Sequence, residues 1–212
     1  MKLHGYFRSS AAWRVRAAMA LKGITAEPVF HHLRRNEQRD PAYLKLHPQG
    51  LVPALELDDG TVLTQSLAII EWLDETRPEP PLLPRAPLAR ARVRAFALAI
   101  AAEIHAVQNL KVLNRVKALG HAQEVANAWA HDVIAEGLAA CETMLRDGAG
   151  CGPFCFGATP GLADLCLVPQ LYNARRFNVD LTPMPRLLSA EAACLTMPAF
   201  TGTAPERQPD AE

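Results

Sequence analysis

The sequence predicts a chain of two parts, a mixed α/β domain over residues 1–80 and an all-helical (all-α) domain over residues 88–212. Strand-like and helical patterns alternate in the first part, whereas strand signals nearly vanish in the second. Between them, the proline-rich segment 78–87 cannot continue a helix and is therefore interpreted as a linker.

The first domain opens with a short apolar strand around Leu3, a polar turn, and a helix that starts near Ala11. Val15 and Met19 fall on one face of that helix. Further elements follow along the chain, with strands at 27–31, 54–57 and 62–64 and helices that begin at Pro41 and Ser66. Asp59-Gly60 supplies the hairpin turn between the last two strands. A β-α-β unit followed by a β-β-α unit is the thioredoxin-like arrangement.

Helical patterns fill the second domain, at 88–119, 123–146, 161–177 and 185–196. Gly161 stands at a helix start, and Asp164, three residues later, is interpreted as a capping acid and not a catalytic one. The last residues, 204–212, hold few apolar side chains and are predicted to form an extended or mobile end.

Composition excludes several classes of function. The chain has 22 basic and 22 acidic residues, so its charge balance does not indicate nucleic acid or an acidic membrane surface as a partner. We expect no targeting segment and no apolar run long enough to span a bilayer, hence a soluble protein of the cytoplasm.

The cysteines lie in the second half of the chain, at Cys141, Cys151, Cys155, Cys166 and Cys194. None of them forms a C-x-x-C pair, so we expect no zinc site and no other metal site. The thioredoxin-like half has no cysteine, which excludes thiol–disulfide exchange there. We predict buried packing thiols in a reducing compartment.

The most informative stretch is 6–16, where a strand turns into a helix through Arg8, Ser9 and Ser10. Hydroxyl groups beside free backbone N–H groups at a helix N-terminus favour an anion such as a carboxylate, phosphate or thiolate. Either serine would also serve as a simple helix cap. Arg8 adds a cation that capping alone does not need.

This stretch resembles the S-S-C-x-W-R-V-R signature of zeta-class glutathione transferases, with Ala11 at the position of the cysteine. Further segments are similar to the same class, at 46–53, 64–71, 75–78, 108–110, 163–170, 173–177, 179–183 and 208–210. The resemblance thus runs through both domains and implies the cytosolic glutathione transferase fold, with glutathione as the cofactor.

The resemblance also implies how glutathione is held. Val52 precedes a cis proline, Pro53, and pairs its backbone with the cysteinyl part of the tripeptide as an added strand would. Gln65 and Ser66, which reads as a helix N-cap, receive the γ-glutamyl carboxylate. Ser9 stabilises the thiolate, with Ser10 as the alternative. The remaining glutathione-binding residues implied by the resemblance are Gln49, Gln108 and Asn109.

Arginines indicate the substrate. Arg8 and Arg176 match the carboxylate clamps of the zeta isomerases, and bidentate binding of carboxylates is a property of arginine. Arg175 should point about 100° away from its neighbour on a helix. His105, a further substrate residue, would share one helix with Gln108 and Asn109 at positions i, i+3 and i+4. Ala106 replaces a family proline, so we expect that helix to be less kinked.

The resemblance implies a glutathione-dependent cis–trans isomerase that converts maleylacetoacetate, a small dicarboxylate, to fumarylacetoacetate in tyrosine and phenylalanine catabolism. It also implies a homodimer. Three alternatives remain: a maleylpyruvate isomerase of aromatic-acid degradation, a general glutathione transferase or α-halo acid dehalogenase, and a non-enzymatic interaction module. Leu110-Lys111 favours maleylacetoacetate, since maleylpyruvate isomerases can carry further arginines there. Arg8, Ser9 and Arg176 together argue against the non-enzymatic module.

Overall fold

The structure, a computed structural model, describes residues 1–148 and 152–212. These residues form two compact units. The first comprises Met1–Leu82 together with Leu195–Glu212, and the second comprises Leu83–Cys194. The sequence-based boundaries, 1–80 and 88–212 with a linker at 78–87, differ from this division mainly at the C-terminal end, where residues 195–212 pack with the first unit.

The first unit contains a four-stranded mixed sheet. Its strands are β1 (Lys2–Gly5), β2 (Glu27–Phe30), β3 (Ala54–Glu56) and β4 (Val62–Thr64). They lie in the order β2-β1-β3-β4, with β1 parallel to β2 and the other two pairs antiparallel. This is the order that a β-α-β unit followed by a β-β-α unit produces, so the predicted thioredoxin-like fold is confirmed.

Three helices belong to this sheet: α1 (Ser10–Leu21), α2 (Pro41–Leu46) and α3 (Ser66–Thr76). Two short 3-10 turns, Leu33–Arg35 and Glu37–Arg39, precede α2. Helices α1 and α3 pack against each other, and the apolar side chains Val15, Ile70 and Leu73 are almost fully buried. A separate apolar cluster consists of Tyr6, Phe7, Tyr43, Val52 and Ala54, and it joins α2 to the sheet.

The C-terminal segment completes the first unit through a short helix, α10 (Pro198–Thr201), and a 3-10 turn, Pro205–Arg207. Trp13 Nε1 donates a hydrogen bond of 3.0 Å to Thr203 Oγ1, and Phe7 N donates one of 2.8 Å to Asp210 Oδ2. The prediction of an extended or mobile end at 204–212 is therefore wrong, because polar groups of α1 and of the turn before it hold this segment.

The second unit is all-helical. Its helices are α4 (Pro87–Leu98), α5 (His105–Gln108), α6 (Leu110–Ala118), α7 (Gln123–Gly148), α8 (Leu162–Arg176) and α9 (Pro185–Cys194). A π-helical turn, Ala99–Ile104, connects α4 to α5. The continuous helix predicted for 88–119 is thus divided. Gly137 of α7 faces this turn so closely that an added Cβ would lie 2.3 Å from Ile104 Cγ1.

Asp164 caps α8 as predicted. Its Oδ2 accepts a hydrogen bond from Gly161 N and its Oδ1 accepts one from Cys155 N, both 2.9 Å long. Burial raises the pKa of this carboxyl despite those two donors. The carboxyl is enclosed and fully used in holding a loop and a helix start, which fits a structural role.

Four of the cysteines are buried packing thiols, as predicted: Cys141, Cys155, Cys166 and Cys194. Burial raises the pKa of Cys141 to about 12 and also raises the pKa of Cys155 and of Cys194. Cys151 lies outside the described residues.

One helical stretch, Pro87–Ala118, is long and apolar enough to cross a membrane by length and composition, contrary to the sequence-based expectation. Core helices of globular domains meet the same criterion, and 33% of its most apolar window is buried in the fold. The stretch is also interrupted, since Asn109 has an extended backbone with φ −69° and ψ 165°.

Candidate functional site

Ser9 closes the turn between β1 and α1. Its backbone N–H donates a 3.0 Å hydrogen bond to Tyr6 O, and its Oγ accepts one of 3.2 Å from Ala12 N. Ser9 is therefore the N-cap of α1, whereas Ser10 is the first helical residue and is buried. The Ser9 side chain is only half-buried. Of the two serines, Ser9 presents the more accessible hydroxyl at the positive end of the helix.

Arg8 lies in the same turn and is half-buried. Its guanidinium carbon is 5.5 Å from the centroid of the Phe7 ring, within the range of a cation–π contact. The turn thus presents the Arg8 cation next to the Ser9 hydroxyl, at the start of α1. This combination is suited to binding an anion.

Val52 and Pro53 are joined by a cis peptide bond, as the sequence analysis predicted. Both residues are buried, and β3 begins directly after them. Tyr43 Oη donates a 2.6 Å hydrogen bond to Leu51 O, which ties α2 to the residue before Val52. The backbone that precedes β3 is consequently tied to α2.

Gln65 occupies an unusual backbone conformation, with φ 70° and ψ 117°, and it is the N-cap residue of α3. The prediction that Ser66 would be the N-cap is therefore wrong, and Ser66 is the first residue of the helix. A positive φ is uncommon for a residue other than glycine and is often found at binding sites. Gln65 Nε2 donates a 2.8 Å hydrogen bond to Gln49 Oε1, which brings two predicted glutathione residues together.

Arg14 and Arg16 of α1 are functional candidates that sequence reasoning missed. Arg14 is 1% exposed, and its Nη1 donates a 3.4 Å hydrogen bond to Ser66 Oγ, which connects α1 with the start of α3. Arg16 donates to backbone oxygens of the turn, with Nη2 2.9 Å from Phe7 O. The signal available in the sequence was a pair of arginines within the apolar pattern of one helix.

In the second unit, Gln108 ends α5 and is buried, and His105 begins the same helix and is half-buried. Asn109 does not share their helix, contrary to the prediction. Its Oδ1 accepts a 3.2 Å hydrogen bond from Val112 N, so that it caps α6, and its Nδ2 donates to Ala106 O. The helix is interrupted here without a proline at position 106, because the asparagine side chain satisfies the groups that the break exposes.

Arg175 and Arg176 make different contacts at the end of α8. Arg175 Nη1 lies 2.6 Å from Glu191 Oε1 in a bidentate ion pair, and Glu191 is buried. Arg176 Nη1 donates a 3.0 Å hydrogen bond to Asn173 Oδ1, and its guanidinium lies 5.8 Å from the Phe177 ring. Arg175 is paired with a carboxylate of α9, whereas Arg176 is exposed and its guanidinium contacts neighbouring residues of its own chain segment.

Within the described parts of the chain, no three His, Cys, Asp or Glu side chains are placed to hold a metal ion.

Comparison with known proteins matches both halves of the chain. Residues 8–76 match the family model of the glutathione S-transferase N-terminal domain, and residues 71–190 match that of the C-terminal domain. A maleylacetoacetate isomerase of Pseudomonas aeruginosa is 45% identical over 99% of this chain and 98% of its own length.

Two solved structures are also similar over the whole of both chains. The holo structure of a maleyl pyruvate isomerase, described as a bacterial glutathione S-transferase of the zeta class, has a TM-score of 0.96 and 43% identity, with 100% of each chain covered. A maleylacetoacetate isomerase from Methylobacterium extorquens AM1, solved with bound malonate and GSH, has a TM-score of 0.96 and 39% identity, again with 100% of each chain covered.

Proposed function

The chain belongs to the glutathione S-transferase family, and from that premise we propose that it is a zeta-class, glutathione-dependent cis–trans isomerase. Its proposed substrate is maleylacetoacetate and its product fumarylacetoacetate. The observation that carries the proposal is the Ser9 hydroxyl at the N-terminus of α1 in a unit without a cysteine. Because Ala11 follows the serines and this unit contains no cysteine, we assign the reacting thiol to glutathione.

Most of the proposed glutathione contacts belong to the first unit. An extended peptide can pair with the backbone of Val52, which the cis bond to Pro53 and the hydrogen bond from Tyr43 to Leu51 hold in place. The γ-glutamyl carboxylate is assigned to Gln65 and Ser66 at the start of α3, where backbone N–H groups favour an anion. Gln49 supports this position through its hydrogen bond to Gln65. Gln108 and Asn109 complete the glutathione-binding set.

Ser9 has the hydrogen-bonding capacity that the thiolate needs. Its Oγ already accepts a hydrogen bond from Ala12 N, so the hydroxyl hydrogen is available to donate to the sulfur. A free thiol has a pKa near ~8.5, and a hydrogen bond together with the helix N-terminus stabilises the anion and lowers that pKa. Ser10 is buried and is the less suitable donor.

The reaction is an addition followed by an elimination. The thiolate forms a C–S bond to one carbon of the cis double bond. The π electron pair of the double bond moves into the conjugated carbonyl group, which becomes an enolate. The former double bond is now single and rotates. The enolate then re-forms the double bond in the trans geometry and expels the thiolate, so that no net redox change occurs. Arg8 and Arg176 are assigned to the substrate carboxylates, with His105 as a further substrate contact.

Maleylpyruvate is the second candidate substrate. The observation that favours it is the maleyl pyruvate isomerase structure, which matches this chain over its full length. The malonate and GSH found with a maleylacetoacetate isomerase are compatible with either, since both substrates carry two carboxylates. The protein is further proposed to act in the cytoplasm as a homodimer.

The decisive experiment compares three cofactor conditions with purified protein. Maleylacetoacetate should isomerise with glutathione, and should not do so without it or with S-methylglutathione, which fills the site but cannot add to the double bond. Equal rates in all three conditions would contradict the addition–elimination mechanism. A higher kcat/KM for maleylpyruvate than for maleylacetoacetate would instead identify the second candidate.

A further inference from the structure

Hydrogen bonds to the backbone N–H and C=O groups of Phe7 fix the turn that presents Arg8 and Ser9. Phe7 is the second residue of the four-residue turn that the hydrogen bond from Ser9 N to Tyr6 O closes. The Phe7 N–H donates to Asp210 Oδ2 at 2.8 Å, and the Phe7 carbonyl accepts from Arg16 Nη2 at 2.9 Å. Both backbone polar groups of Phe7 are thus held by residues outside the turn.

The guanidinium group of Arg16 donates hydrogen bonds to several backbone carbonyl groups. Besides Phe7 O, its Nη1 lies 3.4 Å from Tyr6 O and its Nε lies 3.2 Å from Thr203 O. Burial lowers the pKa of Arg16 to about 10, and the nearby carboxylate of Asp210 opposes that shift. The guanidinium is therefore largely enclosed, and it joins the turn to the C-terminal segment.

Asp210 supplies a single acceptor to the turn. Its Oδ2 meets Phe7 N, whereas Oδ1 has no protein partner among the described residues. Phe7 itself is buried, so its N–H would lose its partner without a ready replacement from water if that acceptor were removed. The next two residues of the chain are Arg8 and Ser9, and their placement follows from the backbone conformation of Phe7.

The same segment is also attached to α1 at a point that does not touch the turn. Trp13 Nε1 donates to Thr203 Oγ1 at 3.0 Å, and that oxygen in turn donates to Ala199 O. Substitutions can therefore separate the attachment of the C-terminal segment from the orientation of the turn. We expect Thr203→Val to remove the hydrogen bond from Trp13 and to keep the hydrogen bond from Phe7 to Asp210.

We propose that Asp210 is a positioning residue for catalysis, which orients the Arg8–Ser9 turn through its hydrogen bond to the Phe7 N–H, with Arg16 holding the carbonyl group of the same residue. The hydrogen bond, and not the negative charge, carries this role, because an anion beside the turn would by itself oppose a thiolate there. The inference rests on the proposed function, since Ser9 matters to turnover only if a thiolate reacts at this turn.

The experiment uses four variants of the full chain: Asp210→Ala, Asp210→Asn, Asp210→Glu and Thr203→Val. Asparagine keeps an acceptor at the same distance and removes the charge, whereas glutamate keeps the charge and moves the acceptor by one methylene. Readouts are kcat and KM for glutathione and for the substrate, the pH titration of bound glutathione thiolate by ultraviolet absorbance, the melting temperature, and hydrogen exchange of the Phe7 amide in ligand-free protein.

Asp210→Ala and Asp210→Glu should each lower kcat by about tenfold or more, with KM for glutathione changed by less than about threefold, because a small misplacement of catalytic groups is costly. Asp210→Asn should restore kcat to within about threefold of wild type and return the Phe7 amide to slow exchange. Thr203→Val should lower the melting temperature and leave kcat unchanged.

Two results would overturn the inference: a loss of kcat in Asp210→Ala no larger than in Thr203→Val, or wild-type kcat in Asp210→Glu combined with a loss in Asp210→Asn. If Asp210→Ala does not fold, the contrast between the asparagine and glutamate variants decides the question. A wild-type protein without glutathione-dependent activity would count against the proposed function alone, and the exchange of the Phe7 amide would still test the role of Asp210.

Discussion

Arg175 and Glu191 form a bidentate ion pair between α8 and α9, with Arg175 Nη1 2.6 Å from Glu191 Oε1. The hydrogen bonds to Glu191 raise the pKa of Arg175. This pair explains why adjacent arginines at the end of one helix have different uses. It also means that Arg175→Ala is not a neutral control for Arg176, since it would strand a buried carboxylate.

Arg175→Ala should destabilise the protein without a direct effect on catalysis. Glu191 would lose two charged hydrogen bonds, and such bonds contribute about 1.5–3 kcal/mol each in favourable settings. Because the Arg175 side chain is half-exposed, we expect the low end, about 2 kcal/mol, or a melting temperature lower by about 4–8 °C. Thermal unfolding measures this change. The double variant Arg175→Ala/Glu191→Gln should lose less than the two single losses combined, and strict additivity would exclude coupling.

Arg176→Ala should raise KM for the dicarboxylate substrate by about 10- to 100-fold and leave KM for glutathione nearly unchanged, because one charged contact to a carboxylate is lost. Steady-state kinetics with each substrate varied in turn measures the difference. Arg115→Ala is the matched control, since Arg115 is an exposed arginine on α6. Similar effects in the two variants would mean that Arg176 acts only through general surface charge.

Removing the Ser9 hydroxyl should lower turnover and leave glutathione affinity almost unaltered, because the serine acts on the sulfur and not on the peptide. Ser9→Ala should also cost about 1 kcal/mol of stability through the lost N-cap, whereas Ser9→Gly should cost only a few tenths. Equal losses of kcat in both variants would therefore separate catalysis from capping. Ser10→Ala is the comparison, and a larger loss there than in Ser9→Ala would reverse the assignment.

The lowered pKa values of His31 and His47 should make the stability of the fold depend on pH. His4 Nδ1 lies 2.9 Å from His31 Nε2, so one ring must donate while the other accepts. Burial and then the neighbouring His4 lower the pKa of His31, although Glu37 and Asp40 oppose this, and burial lowers the pKa of His47. Below about pH 6.5 the unfolded chain takes up more protons than the folded one at these sites.

The contribution of these histidines to the free energy of unfolding should accordingly be fully present above about pH 6.5. It should decrease as the pH falls from there towards the lowered pKa values of the folded state. Denaturant titrations across this range measure the slope. His31→Gln should flatten it, and the exposed His121→Gln should not. If His31→Gln keeps the wild-type slope of the free energy of unfolding against pH, His31 is not responsible for the pH dependence.

The described thiols should resist a thiol reagent such as Ellman's reagent in the folded protein. Cys141, Cys155, Cys166 and Cys194 are buried, and the thiolate is the form that reacts. At about pH 7.5 these four should become reactive only on unfolding. A Cys151→Ser variant isolates them from the one cysteine outside the described residues. Fast reaction of a full equivalent or more in that variant would contradict the burial.

Local patterns were sufficient for most elements of the fold. The hairpin of β3 and β4 follows from Gly60, whose φ of 87° suits glycine at the turn that the sequence placed there. The same local logic failed at Ser66, because serine is the better intrinsic cap but Gln65 occupies the strained position before it. The helix break at Asn109 was missed for a different reason: the apolar pattern runs on through it, and the π-helical turn before it packs closely against Gly137, which is distant in the sequence.

The candidate site could be proposed from the sequence where a motif carries it, but not where distant segments meet. Ser9, Val52 and Gln65 each lie in a short recognisable stretch. The partners of Arg16 and Asp210 do not, because Phe7 and Asp210 are 203 residues apart and the segment around Asp210 has no periodic pattern to fix its register. Such a contact is visible only when both ends of the chain are placed.

The return of residues 195–212 to the first unit has a consequence for synthesis. A ribosome makes residues 83–194 after most of the sheet unit but before the segment that completes it. The helical unit is continuous in sequence and can fold as it emerges. Until that segment is made, the Phe7 N–H lacks Asp210 as its acceptor and Arg16 Nε lacks Thr203 O, so we expect the Arg8–Ser9 turn to reach its final form only after the helical unit has been synthesised.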